Sequence, residues 1–105
     1  MATGAFPVDK IYEDGLIFAI RDINPRAPIH ALIITKQHIA SVRALTQDHG
    51  PLLGHIYLTA NRLADDFDIG ERGYRLAFNV GMEGGQTIYH LHLHLLGGAQ
   101  LGPEA

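Results

Sequence analysis

The chain has 105 residues, room for one domain with a small core. Charged residues make up 18% and hydrophobic ones 47%, with a net charge of -3, which is the composition of a globular protein. Eight Lys+Arg against 11 Asp+Glu argue against a polyanion-binding surface, and the absence of cysteine excludes disulfides, thiolate metal sites and cysteine nucleophiles.

Residues 1–9 hold Gly4 and Pro7 and read as an irregular lead-in. They show no basic segment followed by an apolar one, so no secretory signal is visible and a cytoplasmic location is expected. No apolar run is long enough to span a bilayer. Lys10–Glu13 and Leu16–Arg21 read as two strands joined by the turn Asp14-Gly15, a hairpin. The prolines of Asp22–Pro28 make a loop, and His30–Thr35 is the next strand. A short helical turn is expected around Ser41–Leu45. From about Asp48 the apolar residues Leu52, Leu53, Ile56, Ala60, Leu63, Ala64 and Phe67 recur at three- and four-residue steps, the stripe of an amphipathic helix. Pro51 suits its first turn and Gly70 lies just past its end. Tyr74–Val80 reads as a strand, residues 81–86 as a glycine-rich loop, and Tyr89–Leu96 as the clearest strand of all. The order implies an α+β fold: a mainly antiparallel sheet of about five strands packed on one long helix and a short one.

The unusual count is histidine. There are 7 in the chain, and His90, His92 and His94 alternate with Leu91, Leu93 and Leu95. In a strand, alternate residues face opposite ways, so the histidines share one face and Tyr89 and the leucines the other. The leucine face serves a core; the histidine face has three readings. It is a solvated strand face, a metal site, or a centre for chemistry on phosphorus. Adjacent histidines, about 6.6 Å apart along a strand, can converge on one ion, with His30 available as a third ligand; the outer pair, about 13 Å apart, cannot without a bend. Neutral imidazole is also a good nucleophile near pH 7, and its neighbours can hold phosphate oxygens. Just upstream, Gly81, Gly84 and Gly85 permit a loop that turns N–H groups towards an anion, and Thr87 adds a hydroxyl.

The run His90-Leu91-His92-Leu93-His94-Leu95-Leu96 resembles the His-x-His-x-His-x-x signature of the histidine triad (HIT) family. Residues 21–39 (RDINPRAPIHALIITKQHI), 52–56 (LLGHI) and 78–98 (FNVGMEGGQTIYHLHLHLLGG) resemble the Hint branch, the histidine triad nucleotide-binding proteins. The likeness runs from about residue 8 to 98. It implies a single HIT domain over 1–105, with a short tail at 99–105. It also implies a metal-independent purine nucleoside phosphoramidate hydrolase without cofactor. Such an enzyme acts at the α-phosphate through a nucleotidyl-histidine and releases a nucleoside monophosphate such as AMP. The implied assembly is a homodimer, with neither nucleic acid nor membrane as partner. By the resemblance, His92 is the nucleophile, His90 orients it from within the strand, and His94 contacts the phosphate. Asp22 holds the ribose hydroxyls, Ile23 lines the base pocket, and His30 is a fourth histidine on the neighbouring strand. Asn79 lies near the phosphate and ribose, Gly85 supplies a backbone N–H, and Thr87 fills a place often taken by serine. His38, His49 and His55 receive no role and are expected on the surface or the helix. Alternatives are a dinucleoside polyphosphate hydrolase of the same family, a slow or non-catalytic nucleotide-binding module, and a metal protein using His30, His90 and His92. Relatives differ at both chain ends, where MATGAFPVDK and GAQLGPEA stand here, so substrate preference and the ends' share in a dimer are expected to differ.

Overall fold

The structure, a computed structural model, describes residues 9–103; the lead-in expected over 1–9 lies almost wholly outside them. Five strands form one antiparallel sheet in the order β1-β2-β3-β5-β4. They are β1 (Lys10–Glu13), β2 (Ile17–Arg21), β3 (Ile29–Thr35), β4 (Tyr74–Ala77) and β5 (His92–Gly97), and one helix, α1 (Gly50–Asp66), packs against them. Two single 3₁₀ turns, Val42–Ala44 and Gln47–His49, lead into the helix.

Local chemistry explains the hairpin. Asp14 Oδ1 accepts the amides of Leu16 and Ile17 at 2.8 and 3.0 Å, closing the turn between β1 and β2. Its Oδ2 accepts from Tyr12 Oη at 2.7 Å and from His55 Nε2 at 2.6 Å, so the turn is also tied to α1. Burial raises the Asp14 carboxyl, but the donors from Tyr12, Leu16, His55 and Ile17 outweigh it and hold the group well below the usual carboxylate range. His49, at the other end of the loop leading into α1, accepts the Thr46 amide through Nδ1 at 2.9 Å.

The sheet has two apolar faces. On one, Ile17, Ala19, Ala31, Ile33, Leu93 and Leu95 meet Ile56, Ala60, Leu63 and Ala64 of α1. The leucines of the histidine strand thus build the core, as their alternation predicts. Tyr89 does not follow them and is exposed. Leu93→Ala is expected to cost about 3 kcal/mol, read as a lower urea midpoint with an unchanged m-value. On the other face, Phe18, Ile20, Leu32 and Ile34 form a second, smaller cluster. Register puts Leu32 opposite His94 and Ile34 opposite His92, so both histidines stand on this face, away from the helix.

Two strands differ from the sequence reading by more than one residue. The fourth ends at Ala77 rather than Val80, because the chain leaves β5 to enter the glycine loop. The fifth begins at His92 rather than Tyr89, because its partner β3 stops at Thr35 and the chain turns away. Leu91 O still accepts the Thr35 amide at 3.4 Å, but the Leu91 amide donates to that departing segment, to Ile39 O at 2.7 Å. His90 is therefore ahead of the strand, not within it. Residues 99–103 carry no regular structure, and Arg72 donates to Gly98 O at 3.2 Å just before them. Among the described residues no helix is long and apolar enough to cross a membrane.

Candidate active site

A cleft of about 560 Å³ opens on the face opposite α1. Ile20 and Leu32 of the second cluster contribute to its wall. Asp22, Ile23, Asn79, Gly85, Thr87, His92 and His94 all line it, so seven of the nine residues singled out in the sequence meet in one place. Ile23 and Ile88, both exposed, offer apolar surface there. His30 lies buried beside His94, and His90 stands outside the cleft lining.

The protonation pattern of these histidines is set by backbone groups. His92 Nδ1 lies 2.7 Å from the carbonyl oxygen of His90. A carbonyl only accepts, so Nδ1 carries the hydrogen, and neutral His92 keeps its lone pair on Nε2. His90 thus acts on His92 through its main chain, and its own ring donates Nε2–H to Thr35 O at 2.7 Å. His90 is thus anchored to the end of β3 and reaches His92 through its carbonyl, in place of an in-strand neighbour.

A second chain of bonds runs behind His94. The Arg26 amide donates to His30 Nδ1 at 3.1 Å, which leaves the hydrogen of neutral His30 on Nε2. This Nε2–H faces His94 Nδ1 at 3.0 Å, with Asp22 Oδ2 at 3.5 Å. His94 Nδ1 is then the acceptor, and Nε2–H is left as a donor. Burial pushes His94 down to about 4, aided by His92, His30 and Arg26. Burial lowers His30 too, with Asp22 opposing and Arg26 adding to it. Both rings are uncharged at neutral pH.

The loop between β4 and β5 has its own frame. Asn79 Nδ2 donates to Gly84 O at 2.8 Å, holding the glycine turn shut. Gly85 has φ 84°, a conformation only glycine takes without strain. Its N–H donates to Met82 O at 3.1 Å, so the amide expected to face the anion is committed to the turn. A Cβ at Gly84 would collide with Val80 O, so no side chain fits there. Gln86, overlooked in the sequence, is the buried centre of this frame. It accepts from the Gly81 amide at 3.0 Å and donates to Ala40 O and Ile88 O at 2.9 and 3.1 Å. Only its place after a glycine pair hinted at a role. Arg26 was missed as well: it lines the cleft, and nothing in its position marks the amide that fixes His30.

The metal alternative also changes. Among the described residues, those that come together at ligand spacing are Asp22, His30 and His94, with donor atoms within 4.8 Å of one another, rather than His30, His90 and His92. The Arg26 amide on His30 Nδ1 leaves Nε2 protonated, so this trio presents a hydrogen where an ion needs a lone pair.

Comparison with known proteins identifies the family. A family model described as "Scavenger mRNA decapping enzyme C-term binding" matches residues 1–103. The chain belongs to the histidine triad family. It is 45% identical to the purine nucleoside phosphoramidase of Escherichia coli (strain K12) over 97 residues, covering 92% of this chain and 82% of that one. It is 50% identical to a HIT-like protein of Synechococcus elongatus over 95 residues, covering 90% and 82% of the two. The crystal structure of a HIT family hydrolase from Legionella pneumophila Philadelphia 1 matches with a TM-score of 0.94 at 48% identity, over 97% of this chain and 91% of that one. The five-stranded α+β architecture is thus that of the HIT fold.

Proposed function

We propose that this HIT protein hydrolyses purine nucleoside 5′-phosphoramidates to the nucleoside monophosphate and an amine. The observation that carries this is His92, its Nδ1–H held by the His90 carbonyl and its ring on the cleft, which leaves Nε2 as a nucleophile. The phosphoramidase from Escherichia coli, similar over most of both chains, supports the substrate class.

The substrate's base lies between Ile23 and Ile88, and its ribose hydroxyls donate to Asp22. Asp22 Oδ1 already accepts the Asn24 amide at 2.9 Å, which fixes the carboxylate in the proline loop. His92 Nε2 attacks the α-phosphorus, forming a P–N bond as the bond to the leaving amine breaks. His94 Nε2–H donates to a phosphoryl oxygen as charge builds there. The amine leaves with a proton from Thr87 or His94, and the water that attacks in the second step returns a proton to that group. Water then attacks phosphorus from the face the amine left, and the bond to His92 breaks. No step uses a metal or cofactor, and full activity is expected in EDTA. Over 1–105 the chain acts as one domain, in the cytoplasm and as a homodimer; β4 ends the sheet among the described residues, and its outer edge is the one such a pairing can use. A monomer by sedimentation at assay concentration contradicts the dimer.

The deciding experiment compares adenosine 5′-phosphoramidate and diadenosine polyphosphates side by side. Preference for the first supports the proposal, and preference for the second moves the chain to the polyphosphate hydrolases. No turnover of either leaves a binding module. Asp22→Asn tests the ribose contact. It is expected to raise KM about tenfold or more for a ribonucleotide substrate and much less for a 2′,3′-dideoxy analogue.

A further inference from the structure

His38 was given no role on sequence, yet it is the one histidine outside the proposed set that touches a member of it. Its Nδ1 lies 3.1 Å from His90 Nδ1, the ring centroids 5.0 Å apart at 61°. His90 Nε2 is already committed as a donor to Thr35 O. In neutral His90, Nδ1 is therefore an acceptor, and His38 must be the donor. We propose that His38 is a positioning residue for His92, acting through His90; this rests on the assignment of His92 as the nucleophile.

The transmission is short. His90 is gripped at both ring nitrogens, by Thr35 O on one side and His38 on the other. The carbonyl of the same residue holds His92 Nδ1 at 2.7 Å. Residue 90 lies ahead of β5, outside the ladder, and the peptide it shares with Leu91 is held by the Leu91 amide on Ile39 O, the residue next to His38. The segment that carries His38 is itself secured. Thr35 Oγ1 donates to Gln37 O at 2.8 Å, and Leu91 N donates to Ile39 O at 2.7 Å. His38 is exposed and adds nothing to the core, so its substitution has little to disturb but this contact.

Three variants separate a donor from a filler. His38→Phe keeps a ring and removes the donor. His38→Ala removes both. His38→Asn places an amide N–H close to the site of imidazole Nδ1. The expected result is a fall in kcat of about tenfold or more in the Phe and Ala variants, with KM within about twofold. The Asn variant recovers most of the loss. In ¹⁵N spectra of the imidazoles, His92 shifts from a clean Nδ1–H tautomer in the parent and Asn forms towards a mixture in the Phe form. A purely structural role would instead lower Tm and leave the tautomer alone. Equal kcat and an unchanged His92 tautomer in the Phe variant overturn the proposal. If the parent protein turns over no phosphoramidate, the proposed function has failed while the tautomer comparison still decides on His38.

Discussion

His92→Asn is expected to lose at least about 10⁴-fold in turnover of adenosine 5′-phosphoramidate while keeping its fold and its affinity for AMP. The reason is the asymmetry of the ring. Nδ1 is spent on the His90 carbonyl, and an asparagine amide can make that same bond with its N–H. What asparagine cannot supply is the lone pair on Nε2, which is further along the side chain. The substitution therefore isolates the bond-forming atom from the anchoring one. In the proposed complex, binding is carried by groups the change does not touch, the cleft residues Asp22, Ile23 and Ile88. Mass spectrometry gives the companion result. A rapidly quenched parent reaction is expected to show a nucleotidyl adduct on the peptide containing residue 92, absent from the variant. Residual activity within tenfold of the parent, without the adduct, would sink the covalent mechanism.

The parts of the fold that follow from apolar periodicity were legible in the sequence. The helix stripe from Leu52 to Phe67 and the alternation of Leu91, Leu93 and Leu95 both describe how a side chain meets a core, and the core is made of side chains. Strand ends were not legible. Tyr89, His90 and Leu91 continue the alternation of β5, yet the ladder stops short of them because β3 ends at Thr35, whose amide makes one long bond of 3.4 Å to Leu91 O. That limit is set by the partner strand and leaves no mark on the residues themselves. The candidate site divides the same way. His92, His94, Asp22 and Asn79 were visible as residue types in a recognisable order. The groups that assign their protons are the carbonyls of Thr35 and His90 and the amide of Arg26. Main-chain atoms are the same at every position, so no pattern of letters announces them. Gly85 shows the converse: its conformation was foreseeable from its type, and the bond that occupies its amide was not.

Stability is expected to fall steeply between pH 6.5 and 4. His94 is buried and uncharged until about pH 4, with its ordinary value at 6.5. The unfolded chain takes up this proton as pH drops through 6.5, while the folded chain does not until about 4. Across that window the unfolded state binds more protons, so unfolding becomes easier as pH falls. The loss is complete below about 4 and amounts to roughly 3 kcal/mol from this residue. His30 is shifted the same way and adds to it. Above pH 6.5 neither contributes any slope. Asp14 belongs to a lower window. Its stabilising effect is present above the unfolded carboxyl value of 3.8 and disappears as pH falls through its depressed folded value. Urea midpoints at pH 7.5, 6, 5 and 4 measure the slope. His94→Leu, matched to the apolar neighbour Leu32, is expected to be less stable at pH 7.5 yet to show a clearly shallower decline. Parallel curves for the two proteins would mean that His94 is not the group taking up the proton. The same shift bears on catalysis. In the proposed reaction, a His94 that stays neutral at pH 7 offers a phosphoryl oxygen a hydrogen bond and no full charge, so its contribution there depends on aim. That aim comes from His30 Nε2–H and, behind it, the Arg26 amide.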